Sequence, residues 1–211
     1  MVEMPRTSPG PERALLGFAV AAQETFSFLL GQGFTLMELS DTLARYESGW
    51  RIVRVFHGRA SYELGVEVGR WVEVAGTRRE QSFPLRDVVA LRRDPVDVGF
   101  GGTTATSPPA VRRVMALLAD WTREYAGPLV SGGDELFEVL SERNAERGRV
   151  EQEGLRAQRL RDRAEEAWRR RDFGAVALAY SEIESELHSV TLKASERGRL
   201  DYARKALGET A

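Results

Sequence analysis

The stretch between Leu43 and Val72 constrains the fold of this 211-residue chain more than any other part of it. Two turn signals, Ser48-Gly49 and Gly58-Arg59, divide it into runs rich in β-branched and aromatic residues. Short glycine-containing turns between such runs are typical of β-hairpins. The stretch therefore predicts an antiparallel three-stranded meander.

Counting outward from two-residue turns gives this meander a register. Ala44 is predicted to lie opposite Val53, and Val53 opposite Leu64. Arg54 and Glu63 are predicted to form a cross-strand ion pair. Because side chains alternate along a strand, the register also defines a core face. That face collects Ala44, Tyr46, Val53, Val55, Tyr62, Leu64, Val66 and Val68.

The second face of the meander mixes apolar and charged side chains, namely Leu43, Arg45, Glu47, Trp50, Ile52, Arg54, Phe56, Glu63, Gly65 and Glu67. Gly65 leaves room for Ile52 or Trp50 to lie over it. A face this apolar is either covered by the chain's own helices or left as a partner site. We take six of its residues as a candidate partner-binding site: Trp50, Ile52, Arg54, Phe56, Glu63 and Glu67.

Helical patterns flank the meander on both sides. One runs from Pro11 to about Leu29, and another begins at Ser107, a predicted cap, and continues through Trp121. We expect these two helices to cover the core face. Residues 34–37 are either an edge strand or a packed lead-in, and residues 73–82 are predicted to be a polar loop.

The C-terminal part is predicted to be helical throughout. Residues 142–163 are rich in Arg and Glu and poor in apolar residues, which is typical of a long solvated helix or helical linker. The fold class is therefore α+β. A helix-flanked antiparallel three-stranded meander occupies residues 1–128, and an all-helical hairpin or bundle occupies residues 129–211.

The segment AEEAWRRRDFGAVALAYSEIESEL, residues 164–187, has small and aromatic residues at regular helical positions, with Asp172 as a predicted cap between two helices. It resembles a tetratricopeptide-like helix pair. Repeat arrays need about three or more such units, and one is visible here. The resemblance implies a helical packing unit.

Three short motifs lie in the N-terminal part: FLLGQGF at 28–34, YES at 46–48 and RASYEL at 59–64. On these motifs, residues 15–92 resemble actinobacterial α+β proteins, some of which are immunity partners in polymorphic toxin systems. Members of such families act by binding. The resemblance therefore implies a protein-binding role, with immunity or defence as its sharpest form.

Composition argues against several other classes of function. The net charge of −2 gives no electrostatic case for binding nucleic acid or an anionic membrane. The chain has no cysteine, which excludes disulfides and thiol chemistry, and its two histidines do not predict a metal site. We find no signal peptide and no membrane-spanning run, so we expect a cytoplasmic protein.

No catalytic or cofactor motif is found. The segment Phe100–Thr104 precedes a helix but lacks the lysine and glycine spacing of phosphate-binding loops. Ser131-Gly132-Gly133 lacks the strand that a nucleophile elbow requires. We therefore predict no catalytic residues, no cofactor and no metal.

Function is predicted to be non-catalytic binding of a protein partner. Two alternatives stay open. One is a structural or assembly subunit that oligomerises through its C-terminal helices, and the other is a small enzyme of unknown reaction. The oligomeric state is open as well.

Overall fold

The computed structural model describes residues 11–93 and 102–208. The chain divides into two compact units, Met1–Leu140 and Ser141–Ala211, each with its own apolar cluster. The α+β class is as predicted, but the sheet has five strands rather than three. Residues 129–140, which are predicted to be part of the helical region, belong to the first unit.

The sheet is antiparallel, and its strands follow one another in chain order. They are β1 (Thr35–Leu39), β2 (Leu43–Ser48), β3 (Arg51–His57), β4 (Leu64–Val74) and β5 (Thr77–Pro84). Strand β1 agrees with the edge-strand alternative for residues 34–37. The polar loop predicted over 73–82 is wrong, because β4 continues to Val74 and β5 follows a tight turn at Ala75-Gly76.

The failure to predict strand β5 from the sequence has a physical explanation. Ala75 and Gly76 have φ angles of 51° and 74°, the positive values that a two-residue hairpin turn of the favoured hand requires. Seven of the eight β5 residues are exposed or half-buried, and Phe83 alone is fully buried. An edge strand of this kind carries no apolar alternation, so its composition predicts a loop.

The register of both predicted hairpins is also wrong. The first turn is Gly49-Trp50, since Ser48 pairs with Arg51, and Ala44 therefore lies opposite Val55. Across the second hairpin Val53 lies opposite Val68, because the connection after His57 is longer than two residues. Both shifts are even, so no side chain changes face. All eight residues of the predicted core face lie in the core cluster or pack against it.

The helices of the first unit are α1 (Pro11–Ala14), α2 (Phe18–Thr25), α3 (Phe28–Gly31), α4 (Leu85–Val89), α5 (Pro108–Tyr125) and α6 (Gly127–Ser131). The single helix predicted from Pro11 is broken, and Gly17 lies at one break with φ 68°. Helices α2 and α5 contact each other and strands β2 and β4, so they cover the core face as predicted. Ser107 occupies the N-cap position of α5, but its side chain makes no capping hydrogen bond.

The helices of the second unit are the C-terminal part of α7 (Glu135–Arg169), α8 (Phe173–Glu186) and α9 (Ala194–Ala206). The predicted cap Asp172 is confirmed, since its carboxylate accepts a hydrogen bond of 3.0 Å from the Ala175 backbone N–H. Trp168, Phe173 and Tyr202 pack edge to face, with ring centroids 5.4–5.9 Å apart. This unit is a small helical packing module. Phe100 and Gly101 of the predicted glycine-rich loop lie outside the described residues.

Candidate functional site

The candidate site is the sheet face opposite the core face, which we call the open face. The register of strands β2 to β5 places fourteen residues on it: Leu43, Arg45, Glu47, Ile52, Arg54, Phe56, Gly65, Glu67, Gly69, Trp71, Glu73, Arg78, Glu80 and Ser82. The core cluster of the first unit, with α2, α4 and α5, lies on the other side. Charged side chains dominate the open face.

Ion pairs link four of the five strands across the open face. Arg45 on β2 pairs with Glu47 at 2.6 Å and with Glu80 on β5 at 2.8 Å. Arg54 on β3 pairs with Glu67 on β4 and with Glu80 at 3.2 Å. Glu80 therefore pairs with two arginines, Arg45 and Arg54, that are both distant from it in the sequence. We call these five residues the ion-pair lattice.

The lattice is only partly accessible to water, which strengthens its interactions. The side chain of Arg45 is 17% exposed and that of Glu80 is 19% exposed. Burial opposes the charge on Arg45, but hydrogen bonds to Glu47 and Glu80 outweigh it and raise the Arg45 pKa. Burial likewise opposes the charge on Glu47, while the bonds from Arg45 and Trp71 lower its pKa. Both residues are therefore held in their charged forms.

Trp71 extends the lattice toward the β4–β5 turn. Its indole Nε1 donates to Glu47 at 3.4 Å. The guanidinium of Arg45 lies 5.5 Å from the indole ring centroid, and that of Arg78 lies 4.7 Å from it. Both distances are within the range of a cation–π contact. Trp71 is thus fixed in place by charged neighbours while remaining partly exposed.

Ile52 lies on the open face but has no accessible surface. It is not a member of the apolar core cluster on the other side of the sheet. Its register neighbours are Glu47 and Gly69, and Arg54 follows it on the same face. We infer that the stems of these long side chains close over Ile52. A partner cannot contact Ile52, so Ile52 is not a partner-binding residue of the candidate site.

Phe56 lies against Gly65, which is its direct partner across β3 and β4. A Cβ atom placed on Gly65 would stand 2.9 Å from Cε1 of the Phe56 ring, closer than real carbon contacts allow. The residue that uses the room above Gly65 is therefore Phe56, not Ile52 or Trp50 as predicted. Phe56 remains half-exposed beside Leu43, Arg54 and Glu67, where they line a shallow depression.

Trp50 belongs to the β2–β3 turn, so it does not follow the strand alternation that defines the open face. Its ring packs against the core cluster and lies 6.0 Å from the Phe137 ring in an edge-to-face arrangement. The Arg51 guanidinium covers it at 5.0 Å. Trp50 is thus half-buried in the fold, and it lines a shallow depression with Trp71, Glu73 and Arg78 at the β4–β5 end of the open face.

Glu63 and Glu67 have different surroundings. Glu67 is the partner of Arg54, so the predicted Arg54–Glu63 ion pair is wrong. Glu63 precedes β4, is exposed, and accepts a hydrogen bond of 3.4 Å from the Thr103 hydroxyl. The structure therefore groups Arg54, Phe56 and Glu67, while Glu63 lines a second cavity with Phe56 at the margin of the open face.

Sequence reasoning missed Trp71 and Glu80, two central residues of this face. Continuing the alternation Glu63, Gly65, Glu67 by two more steps reaches Trp71, so the signal for it was present. Glu80 lay in the predicted loop, and no local pattern pointed to it.

His57, a residue of β3, is buried on the core side. Its Nε2 faces two backbone carbonyl oxygens, that of Ala105 at 3.0 Å and that of Tyr62 at 3.2 Å, so Nε2 carries the proton. Burial first, and then the nearby Arg13 guanidinium, lower the His57 pKa. Within the described residues no group of three or more His, Cys, Asp or Glu is placed to hold a metal ion.

None of the described helices combines the length and the apolar character needed to cross a membrane. Comparison with protein-family models, with curated proteins and with solved structures found no match to this chain.

Proposed function

We propose that this protein is a non-catalytic binding module that engages a partner protein through the open face of its sheet. The observation that carries the proposal is the asymmetry of the first unit. One face of the sheet is covered by α2, α4 and α5, while the other presents an ordered arrangement of charged and aromatic side chains. Fixed polar groups of this kind favour specific recognition, because little side-chain entropy is lost on binding.

The edges of the sheet are poor sites for an added strand. The register of β1 shifts between Leu36 and Glu38, and such a bulge disrupts the pairing of an edge. Strand β5 carries Arg78 and Arg79 on the opposite edge and ends at Pro84. Bulges, charges and proline are the usual protection of edge strands. A partner is therefore expected on the face rather than at an edge.

An immunity or defence role, in which the partner would be a toxin, is the sharpest form of the proposal. It rests on the resemblance of residues 15–92 to immunity proteins. The rival roles, an assembly subunit and a small enzyme, are separated from it by the surface that each would use. An assembly subunit would self-associate through α7, α8 or α9.

Site-specific photo-crosslinking in the source organism tests the proposal. A photoreactive phenylalanine analogue replaces Trp71 on the open face, or Leu117 on the exposed side of α5 as the matched control. We expect a defined partner protein to be captured from Trp71 and not from Leu117, and to bind again when both proteins are purified. Capture of a partner from Leu117 alone would contradict the proposal. Crosslinking of either position to the C-terminal helices of a second copy of the chain would also contradict it.

A further inference from the structure

We infer that the partner surface bound by the open face is basic, carrying arginine or lysine side chains. This inference rests on the proposed function, and it names the chemistry of the partner. It follows from the charges on the face that the chain's own ion pairs leave unneutralised.

The arginines of the ion-pair lattice are already neutralised. Arg45 forms ion pairs with two carboxylates. Arg54 also forms ion pairs with two carboxylates, and it donates a hydrogen bond of 3.0 Å to the Ser82 hydroxyl. These guanidiniums are also largely shielded, with side chains 17% and 30% exposed. An acidic partner would therefore have to break existing pairs to reach them, at a cost in free energy.

Three carboxylates at the margin of the face are not neutralised by an ion pair, although that of Glu63 accepts a hydrogen bond from the Thr103 hydroxyl. Glu38 lies beside Arg45 in the β1–β2 register, Glu73 lies near the β4–β5 turn, and Glu63 lies at the opposite end of β4. All three are exposed, and the described part of the chain gives none of them an ion-pair partner within 4.0 Å. They surround the lattice on three sides.

Arg78, the third arginine that the described strands place on the open face, shows how a basic side chain fits there. Its guanidinium lies over the Trp71 ring, and its register partner is Glu73. An arginine or lysine of a partner meets the same combination of an aromatic ring and a carboxylate. Counting Arg78, and Arg86 beside Glu63 in one cavity, against the three exposed glutamates still leaves an excess of negative charge at the margin. Complementary charge would steer a basic surface onto this face and orient it there.

A titration with charged peptides tests the inference on the full-length protein. The probes are a blocked Lys-Thr repeat peptide and a blocked Glu-Thr repeat peptide of equal length. We expect the basic peptide to shift the amide resonances of Glu38 and Glu73 and the indole resonance of Trp71. We expect the acidic peptide to leave them unchanged. Rising ionic strength should weaken the binding several-fold, because the charges involved are exposed.

Charge reversal supplies matched variants. Glu38→Lys and Glu73→Lys should each weaken binding of the basic peptide about two- to fivefold, the range measured for exposed ion pairs. Glu24→Lys on α2 is the control, since Glu24 is equally exposed but its helix packs on the core face. It should leave the affinity unchanged.

Three results would overturn the inference: equal shifts from both peptides, no shift on the open face, or an equal loss of binding in Glu24→Lys. Its failure differs from failure of the proposed function. An acidic protein crosslinked through Trp71 would refute the basic partner while retaining the binding module. Absence of any crosslinked protein would count against the module itself.

Discussion

The two faces of the same five-stranded sheet differ in the kind of side chains that bury their apolar residues. The core face carries aliphatic and aromatic side chains that helices α2, α4 and α5 cover. The open face buries Ile52 beneath neighbours that are mostly charged. The stabilisation gained by burial against apolar groups scales with the buried area and depends little on which apolar residues are present. The stabilisation gained by burial under an ion-pair lattice depends on each charge keeping its partner. The open face is therefore ordered and still chemically distinctive, as a recognition surface should be.

The largest test of this contrast compares two phenylalanines on opposite faces. Phe83 is 2% exposed in the core cluster, so Phe83→Ala should lower the free energy of unfolding by about 3–5 kcal/mol. Phe56→Ala removes a half-exposed ring from the open face and should cost about 1–2 kcal/mol. Equal costs would show that the open face is packed as tightly as the core.

Urea unfolding followed by tryptophan fluorescence measures these changes. Trp50, Trp71 and Trp121 belong to the first unit, and Trp168 belongs to the second. All variants are therefore made in a Trp168→Phe background, so that the signal reports on the sheet domain alone.

The next test concerns the buried residue of the open face. Ile52→Ala should cost about 2–4 kcal/mol, the value for a core isoleucine, although its neighbours are charged. Leu39→Ala on β1 is a control, since Leu39 is 39% exposed and should cost no more than about 1 kcal/mol. If the two variants lost the same small amount, the lattice would not seal Ile52 from water.

The two faces should also differ in their sensitivity to acid. Protonation of His57 on the core side is disfavoured, since its pKa is lowered from 6.5, so its contribution to stability is complete above pH 6.5 and is lost as pH falls through the folded-state pKa. Glu47 on the open face has a pKa lowered from 4.5, so its contribution is lost only as pH falls below 4.5.

The pH dependence of urea unfolding separates these windows. His57→Gln should remove the loss of stability that begins below pH 6.5, and should leave the loss below pH 4.5 in place. An unchanged profile in His57→Gln would show that His57 does not set the upper window.

The smallest effect is the coupling within the ion-pair lattice. A double-mutant cycle on Arg54→Ala and Glu67→Ala should give about 0.5–1 kcal/mol, because both side chains retain contact with solvent. Raising the salt concentration should reduce it. A coupling that is zero at low salt would mean that the lattice orders side chains without stabilising the fold.

Much of the sheet could be predicted because side-chain alternation survives an error in register. Ser48-Gly49 was taken as the turn where the chain uses Gly49-Trp50, yet Ala44, Val53 and Val55 still fall on the core face. A turn can slip by two residues without changing any face, so periodicity alone cannot fix it. Trp50 was predicted to be a strand residue for this reason, whereas it lies in the turn, where the alternation does not apply.

The sequence by itself determined which strand residues face the core and which face away, and it determined the cap at Asp172, because these depend on neighbours in the chain. Only the tertiary structure decided what covers the second face. Glu80 lies 35 positions from Arg45 in the sequence, and the two side chains meet only because β5 pairs with β4 in the same sheet. Strand β5 is an exposed edge strand, so its composition does not predict a strand. A pairing between such distant residues depends on strand order, which local patterns do not contain.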